Sequence, residues 1–211
     1  YYNKEEKKNY SIKNGTKFLV LKETVTVRGW NDAASSGIYA NEVENTTETP
    51  LKVKMFSGPV IAHGLYADIK DTIKAQGGKF TKNVYCMTEG GKLICIQIKG
   101  AALGAWMDFT QKTRKRLADE WIHVSGTVDG KKGAIAFTMP EFAFVSSLSD
   151  EQDIQAEAMY TELKSYFTSR SIQTTEDVDE APPEFMPVST AAAAGKEEVD
   201  FTDPESDDLP F

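Results

Sequence analysis

The sequence predicts a mainly β protein: a small barrel of five to six strands with one or two helices, followed by a disordered acidic tail. Three observations predict it. Short runs of alternating apolar and polar residues, bounded by Gly, Pro and Asp, recur through residues 1–149. Helical spacing of apolar residues interrupts them at only two places. After Arg170 the composition turns acidic, with Pro and a four-alanine run at 191–194.

Phe18 to Arg28 is rich in Val, Thr and Leu and reads as the first strand. The polar stretch Asn31–Pro50 reads as a loop. Leu51 to Ile61 alternates until Gly58-Pro59 interrupts it, and Leu65 to Ala75, with Leu65, Ile69 and Ile73 four apart, reads as a helix. Residues 79–88 and 92–99 flank Glu89-Gly90-Gly91-Lys92, whose glycines supply the positive φ of a hairpin turn. A two-residue turn at 90–91 sets Lys82 opposite Lys99, Tyr85 opposite Ile96, and Cys86 opposite Cys95, where buried thiols are the default and a cross-strand disulfide is open. A second helix is expected over 101–117. A second hairpin turning at Asp129-Gly130 joins 121–128 to 133–139, with Phe142–Val145 after Pro140. Five or six strands with a helix between the third and fourth is the order of a closed barrel of the OB type, with a β-sandwich as the other solution.

Residues 150–169 read as a further helix: Ser149 can cap it, Asp150, Glu151 and Asp153 suit its positive start, and Ile154, Met159, Leu163, Tyr166 and Phe167 make an apolar stripe. The helical segment, 150–170 in the domain division, is expected to pack on or flank the body, 1–149, in preference to standing apart as a recognition helix. The segment 171–211 cannot bury enough apolar surface to offset its ordering entropy and is expected to be disordered.

The 211 residues carry a net charge of −8, unevenly divided. Residues 1–149 hold 21 Lys and Arg against 15 Asp and Glu, whereas 150–211 hold 3 against 17. A basic body with an acidic tail suggests an anionic partner for the first and a basic one for the second. No apolar run approaches the roughly 20 residues of a membrane span. The chain starts at Tyr1 without Met, and Tyr1 to Asn9 lack a leader's apolar stretch; a leader removed earlier stays compatible. Two cysteines are too few for a disulfide scaffold and favour a reducing compartment.

Alternation assigns the strand faces. Thr24, Thr26, Arg28 and Trp30 point away from Val25 and Val27; Lys52, Lys54 and Phe56 point away from Leu51, Val53 and Met55. With the expected hairpin register, Phe80, Lys82, Gln97 and Lys99 share a third such face. Cations interleaved with aromatics suit a single-stranded nucleic acid, because cations follow phosphates while flat rings stack on any base. For any one residue, a solvated lysine or a core-edge aromatic is the better account; the repetition favours binding. Trp106 with Lys112, Arg114, Lys115 and Arg116 could extend the phosphate track or form a solvated helix face with Asp119 and Glu120 as partners. Lys131 and Lys132 are a weaker hairpin-tip signal.

No enzyme chemistry is visible. His63 and His123 have neither HxxxH nor CxxC company, no Gly-rich phosphate loop follows a strand, and the body's carboxylates are scattered, so neither cofactor nor metal is expected.

The chain ends Asp207-Asp208-Leu209-Pro210-Phe211, behind Glu205-Ser206. This ending resembles the acidic tip of bacterial single-stranded DNA-binding proteins, and the basic β-rich body resembles their architecture loosely. The resemblance implies an OB-fold that coats single-stranded DNA without sequence preference in replication, recombination and repair. Asp207, Asp208, Leu209, Pro210 and Phe211 would then recruit partner enzymes. It also implies a cytoplasmic place in a bacterial cell or phage-infected bacterium, and leaves a homo-oligomer open. The longer body, the 31–50 loop, the 65–76 helix and a linker without Gly/Gln richness look more like a phage or mobile-element member. Two other classes stay in view: a protein-binding β-rich adaptor, and an annealing or nuclease factor with a similar tail.

Overall fold

The computed structural model describes residues 2–3, 8–9, 15–56, 58–113 and 116–173. Its elements run β1 (Tyr2–Asn3), β2 (Lys8–Asn9), β3 (Lys17–Asn31), β4 (Ser36–Ala40), β5 (Leu51–Met55), β6 (Val60–Gly64), α1 (Tyr66–Ala75), β7 (Gly78–Thr88), β8 (Leu93–Lys99), α2 (Ala101–Thr113), β9 (Glu120–Lys132), β10 (Ile135–Ser147) and α3 (Asp150–Gln173). The fold is mainly β. Among the described residues no helix is long and apolar enough to cross a membrane.

β1 and β2 pair with each other; the other eight strands form one antiparallel sheet with β3 as its hub. Along one side of β3 runs β7, from Phe18↔Thr88 to Gly29↔Gly78. On its other side β9 meets the first residues, at Lys17↔His123 and Phe18↔Ile122, and β4 meets the last four. The sheet continues through β4, β5 and β6, through β9 to β10, and through β7 to β8. It is open: among the described residues β8 pairs only β7, and β10 pairs only β9.

Several connections differ from the sequence expectation. The stretch 31–50 is not a loop throughout, because β3 turns over 32–35 into β4, and Val43 bridges Val25. Leu51 to Ile61 is not one strand but parts of the hairpin β5–β6, folded at the interrupting Gly58-Pro59. The second hairpin turns at 133–134 rather than at Asp129-Gly130, whose residues pair with Thr138 and Phe137. Phe142–Val145 then continues β10 rather than forming a separate strand. Pro140 is accommodated within β10 because an edge strand has no partner on one side to receive an N–H.

The hairpin β7–β8 is shifted by one residue. Thr88 N–H donates to the Lys92 carbonyl at 2.9 Å, and Gly91 alone in this turn takes positive φ, +68°. Its loop is therefore three residues, 89–91, not two. Lys82 sits opposite Ile98, Lys99 opposite Thr81, and Cys95 opposite Tyr85. Cys86 and Cys95 lie on opposite faces of the ribbon, and both are free.

One core fills one side of the sheet: Phe18, Val25 and Val27 from β3, Leu51 and Val53 from β5, Val84 and Cys86 from β7, and Ile122 from β9. Ile69 and Ile73 of α1 and Leu103 and Trp106 of α2 close over it. Burying each large side chain contributes about 1.5–3 kcal/mol. A second cluster, Leu19, Met87, Trp121 and Ala156, holds α3 against the outer side of β3 and β7. The α3 start is a reciprocal cap: Gln152 N–H donates to Ser149 Oγ at 3.3 Å, and Ser149 N–H to Gln152 Oε1 at 3.1 Å. Of the expected stripe, Leu163 is buried and Met159 and Phe167 half-buried, while Ile154 and Tyr166 face solvent.

Candidate nucleic-acid interface

Strand pairing assembles a row of side chains that lie far apart in sequence. Lys79 of β7 is directly opposite Arg28 of β3, Arg28 opposite Tyr39 of β4, and Tyr39 opposite Lys54 of β5. Direct partners share a face at roughly 5 Å spacing, so four strands present cation, cation, phenol and cation side by side. This is the outer face, because Val27 and Val53, next along their strands, point into the core.

The next rung is aromatic. Trp30 is opposite Gly37 of β4, and Phe56 extends the β5 register by donating its N–H to the Gly37 carbonyl at 2.8 Å. Gly37 is thus flanked by two rings that stand in solvent, Trp30 at 46% and Phe56 at 51% exposure. Lys52, two residues before Lys54, is exposed on the same face. Lys99 joins from the other side through Thr81, which is itself opposite Thr26. Of the residues expected from the sequence, Arg28, Trp30, Lys52, Lys54, Phe56 and Lys99 therefore share one face of the sheet, with Thr26 and Thr81 buried between Lys99 and the row.

Three expected residues belong to the interior. Phe80 is buried and packs edge-on against Tyr66, with ring centres 4.8 Å apart. Trp106 is fully buried, and its Nε1 donates to Glu23 Oε1 at 2.8 Å. Lys82 Nζ lies 3.3 Å from that same oxygen, on the core side of β7. Lys82 and Trp106 thus close on a shared internal carboxylate. A partly buried cation is tolerable only with such a partner, and the partner is not visible in the local alternation.

Of the second basic cluster, Lys112 and Arg116 do not join the outer row. Lys112 is exposed on α2, which packs against β8 and β10. Arg116 is held by Glu120, Nε to Oε1 at 2.6 Å, with its guanidinium 4.5 Å from the Phe144 ring centre. Arg114 and Lys115 lie outside the described residues, as do Asp207, Asp208, Leu209, Pro210 and Phe211. Lys131 and Lys132 are exposed where β9 enters the turn.

Toward the start of β3 the same outer face is acidic and covered. Lys22 pairs with Glu44, and Glu42 Oε2 accepts from Thr24 Oγ1 at 2.8 Å and from the Tyr85 hydroxyl at 2.7 Å. Phe167 of α3 stands edge-on to Tyr85, with ring centres 5.3 Å apart. Burial, and after it the Glu42 charge, raises the Tyr85 hydroxyl far above its usual pKa and pushes the Cys95 thiol up to about 12. Burial likewise raises the Cys86 thiol on the core side.

Two apolar clefts lie elsewhere. One of about 320 Å³ sits between β8 and the β9–β10 ribbon beneath α2, lined by Ile96, Ile98, Trp106 and Phe142. The other, about 520 Å³, separates α2 from that ribbon and is lined by Gly104, Lys112, Phe137 and Met139. Among the described residues no group of three His, Cys, Asp or Glu side chains could hold a metal ion.

Sequence reasoning missed Tyr39, Gly37 and Lys79. The first two lie in the stretch read as loop, where the short apolar run Ile38-Tyr39-Ala40 was the available signal. Lys79 shares its alternation with Thr81 and Asn83, a polar series that reads as outward only once the core side of β7 is known. No protein family, no curated protein and no solved structure matches the chain.

Proposed function

We propose that this chain is a non-enzymatic single-stranded DNA-binding protein whose body reads strands without sequence preference and whose acidic tail recruits partner proteins. The observation that carries the reading is the pair of exposed rings, Trp30 and Phe56, standing beside a cross-strand row of Lys79, Arg28, Tyr39 and Lys54. Rings offer stacking surfaces to any base, and the cations gain by releasing counterions from phosphates. A duplex hides its base faces, so the rings favour single strands.

The connectivity supports an OB-type relationship. The order β3, β7, β8, α2, β9, β10 is a three-stranded meander, a helix and a hairpin whose first strand returns to β3. On this reading β4, β5, β6 and α1 are an insertion between the first two barrel strands. The insertion supplies Tyr39, Lys52, Lys54 and Phe56 to the surface. The tail ending at Asp207–Phe211 would act as the portable ligand for replication and recombination enzymes in a bacterial cytoplasm.

The test is a titration of intrinsic fluorescence with oligo-dT and with matched duplex at two salt concentrations, using the full chain. Trp106 and Trp121 are buried, so a direct stacking signal comes from Trp30. Salt-sensitive quenching by the single strand, with weaker response to duplex, is expected; no response to either would overturn the reading. The apolar cleft lined by Phe137 and Met139 favours a second reading, a protein-binding adaptor, which would stand if nucleic acid fails to bind.

A further inference from the structure

Gly37 occupies a position that the fold itself does not explain. Glycine inside a strand weakens it, so its presence asks for a cause: a left-handed φ, a close neighbour, or something that must approach from outside. The nearby Gly29 shows the second cause plainly, since a Cβ there would meet the Gly77 carbonyl oxygen at 2.2 Å. Gly37 shows neither of the first two. Its φ lies outside the left-handed region, and a Cβ there would meet no atom within 4 Å.

The surroundings indicate what approaches. Trp30 is its direct partner on β3, and Phe56 donates its N–H to the Gly37 carbonyl from the other side. Two strand spacings separate the flanking chains, about 9.6 Å. Both rings are about half exposed, and neither covers the glycine, because no ring atom comes within 4 Å of where its Cβ would stand. The result is a slot with a backbone floor, two aromatic walls and the cation row of Arg28 and Lys54 one rung below.

We propose that this slot is a nucleobase subsite: one unpaired base enters over Gly37 between Trp30 and Phe56, while its neighbouring phosphates lie along Arg28 and Lys54. The inference rests on the single-strand reading above and deepens it, assigning the missing side chain of Gly37 to ligand access. The occupant is a base rather than an apolar side chain because the rings stand next to cations, which suits a flat group tethered to phosphate.

The experiment compares wild type and Gly37→Val with two 12-mers, oligo-dT and an oligomer of the same length carrying abasic sites throughout. Valine suits a strand and has room here, so the variant is expected to fold as wild type with an equal or higher Tm. Wild type is expected to bind oligo-dT at least tenfold more tightly than the abasic oligomer, with quenching of Trp30. Gly37→Val is expected to lose tenfold or more on oligo-dT, and most of the quenching, while binding the abasic oligomer as wild type does. A Gly37→Val protein that binds oligo-dT as tightly as wild type would overturn the slot and leave the interface standing. Equal wild-type affinity for the two oligomers would overturn it as well. A wild type that binds neither oligomer would overturn the slot and the single-strand reading together.

Discussion

The two ends of β3's outer face are built from the same kinds of residue and finished differently. At the start, Lys22 is held by Glu44, Thr24 and Tyr85 converge on Glu42, and α3 lays Phe167 against Tyr85. At the other end, Arg28 joins a row with Lys79, Tyr39 and Lys54, and the rings of Trp30 and Phe56 stand in solvent. Both ends carry cations and aromatics, so composition does not separate them. What separates them is the exposure of the rings: Trp30 and Phe56 stand in solvent, whereas Tyr85 is covered by Phe167 of α3.

The largest expected effect of breaking this contrast comes from the rings. Replacing Trp30 or Phe56 with Ala should each cost about 1–3 kcal/mol of oligo-dT binding, and the double variant more, with Tm nearly unchanged because both side chains are exposed. Equal affinity of the double variant and wild type, by equilibrium titration, would remove the open end from the interface.

Trp106→Phe sharpens the contrast between surface and interior. It keeps most of the buried ring but leaves Glu23 without its indole donor, so stability should fall by about 1–3 kcal/mol in urea unfolding. Oligo-dT affinity of the folded protein should not change. A selective loss of binding without loss of stability would return Trp106 to the interface.

Charge changes are smaller and have their own signature. Lys79→Ala and Lys54→Ala should each weaken binding similarly across sequences and lower the slope of log affinity against log salt by about 1. Lys22→Ala, at the covered end, should leave that slope unchanged. Equal slope losses at both ends would abolish the distinction between them.

The last effect is absent near neutral pH and concerns alkaline stability. Burial and Glu42 hold the Cys95 thiol neutral in the folded chain, up to about 12 against an ordinary 9.0. A thiol raised in this way contributes fully below the unfolded value and loses that contribution as pH rises from about 9 toward 12. Cys95→Ala should therefore flatten the decline of Tm with pH over that window; an unchanged decline would contradict this account of the covered end.

The comparison also shows what could be read from the sequence. In 24–30 and 51–56 valine and leucine alternate cleanly with polar residues, so Arg28, Trp30, Lys52, Lys54 and Phe56 were assigned to the outer side from period alone. The same logic failed at Phe80 and Lys82. Their apolar neighbours on that side, Val84 and Cys86, mark it as the core side, but a lysine there reads as exposed until Glu23 is brought to it by β3. The hairpin register was lost to a single residue of turn length, since Gly90-Gly91 permits a two-residue turn and the chain uses three. Tyr39 and Gly37 are hard to read because a five-residue strand between polar turns has little period, and the short run Ile38-Tyr39-Ala40 is its one signal. The row across β7, β3, β4 and β5 is a property of pairing between distant segments, and local pattern carries no information about it.

The most direct test of the central claim is photocross-linking of the full chain to an oligo-dT containing one 5-iododeoxyuridine, with the attached residues located by peptide mass mapping. Attachment at Trp30, Phe56 or Tyr39 is the predicted result. Attachment confined to the cleft aromatics Phe109 and Phe137, or to Tyr166 on α3, would contradict the assignment of the open end of the sheet as the strand-binding surface.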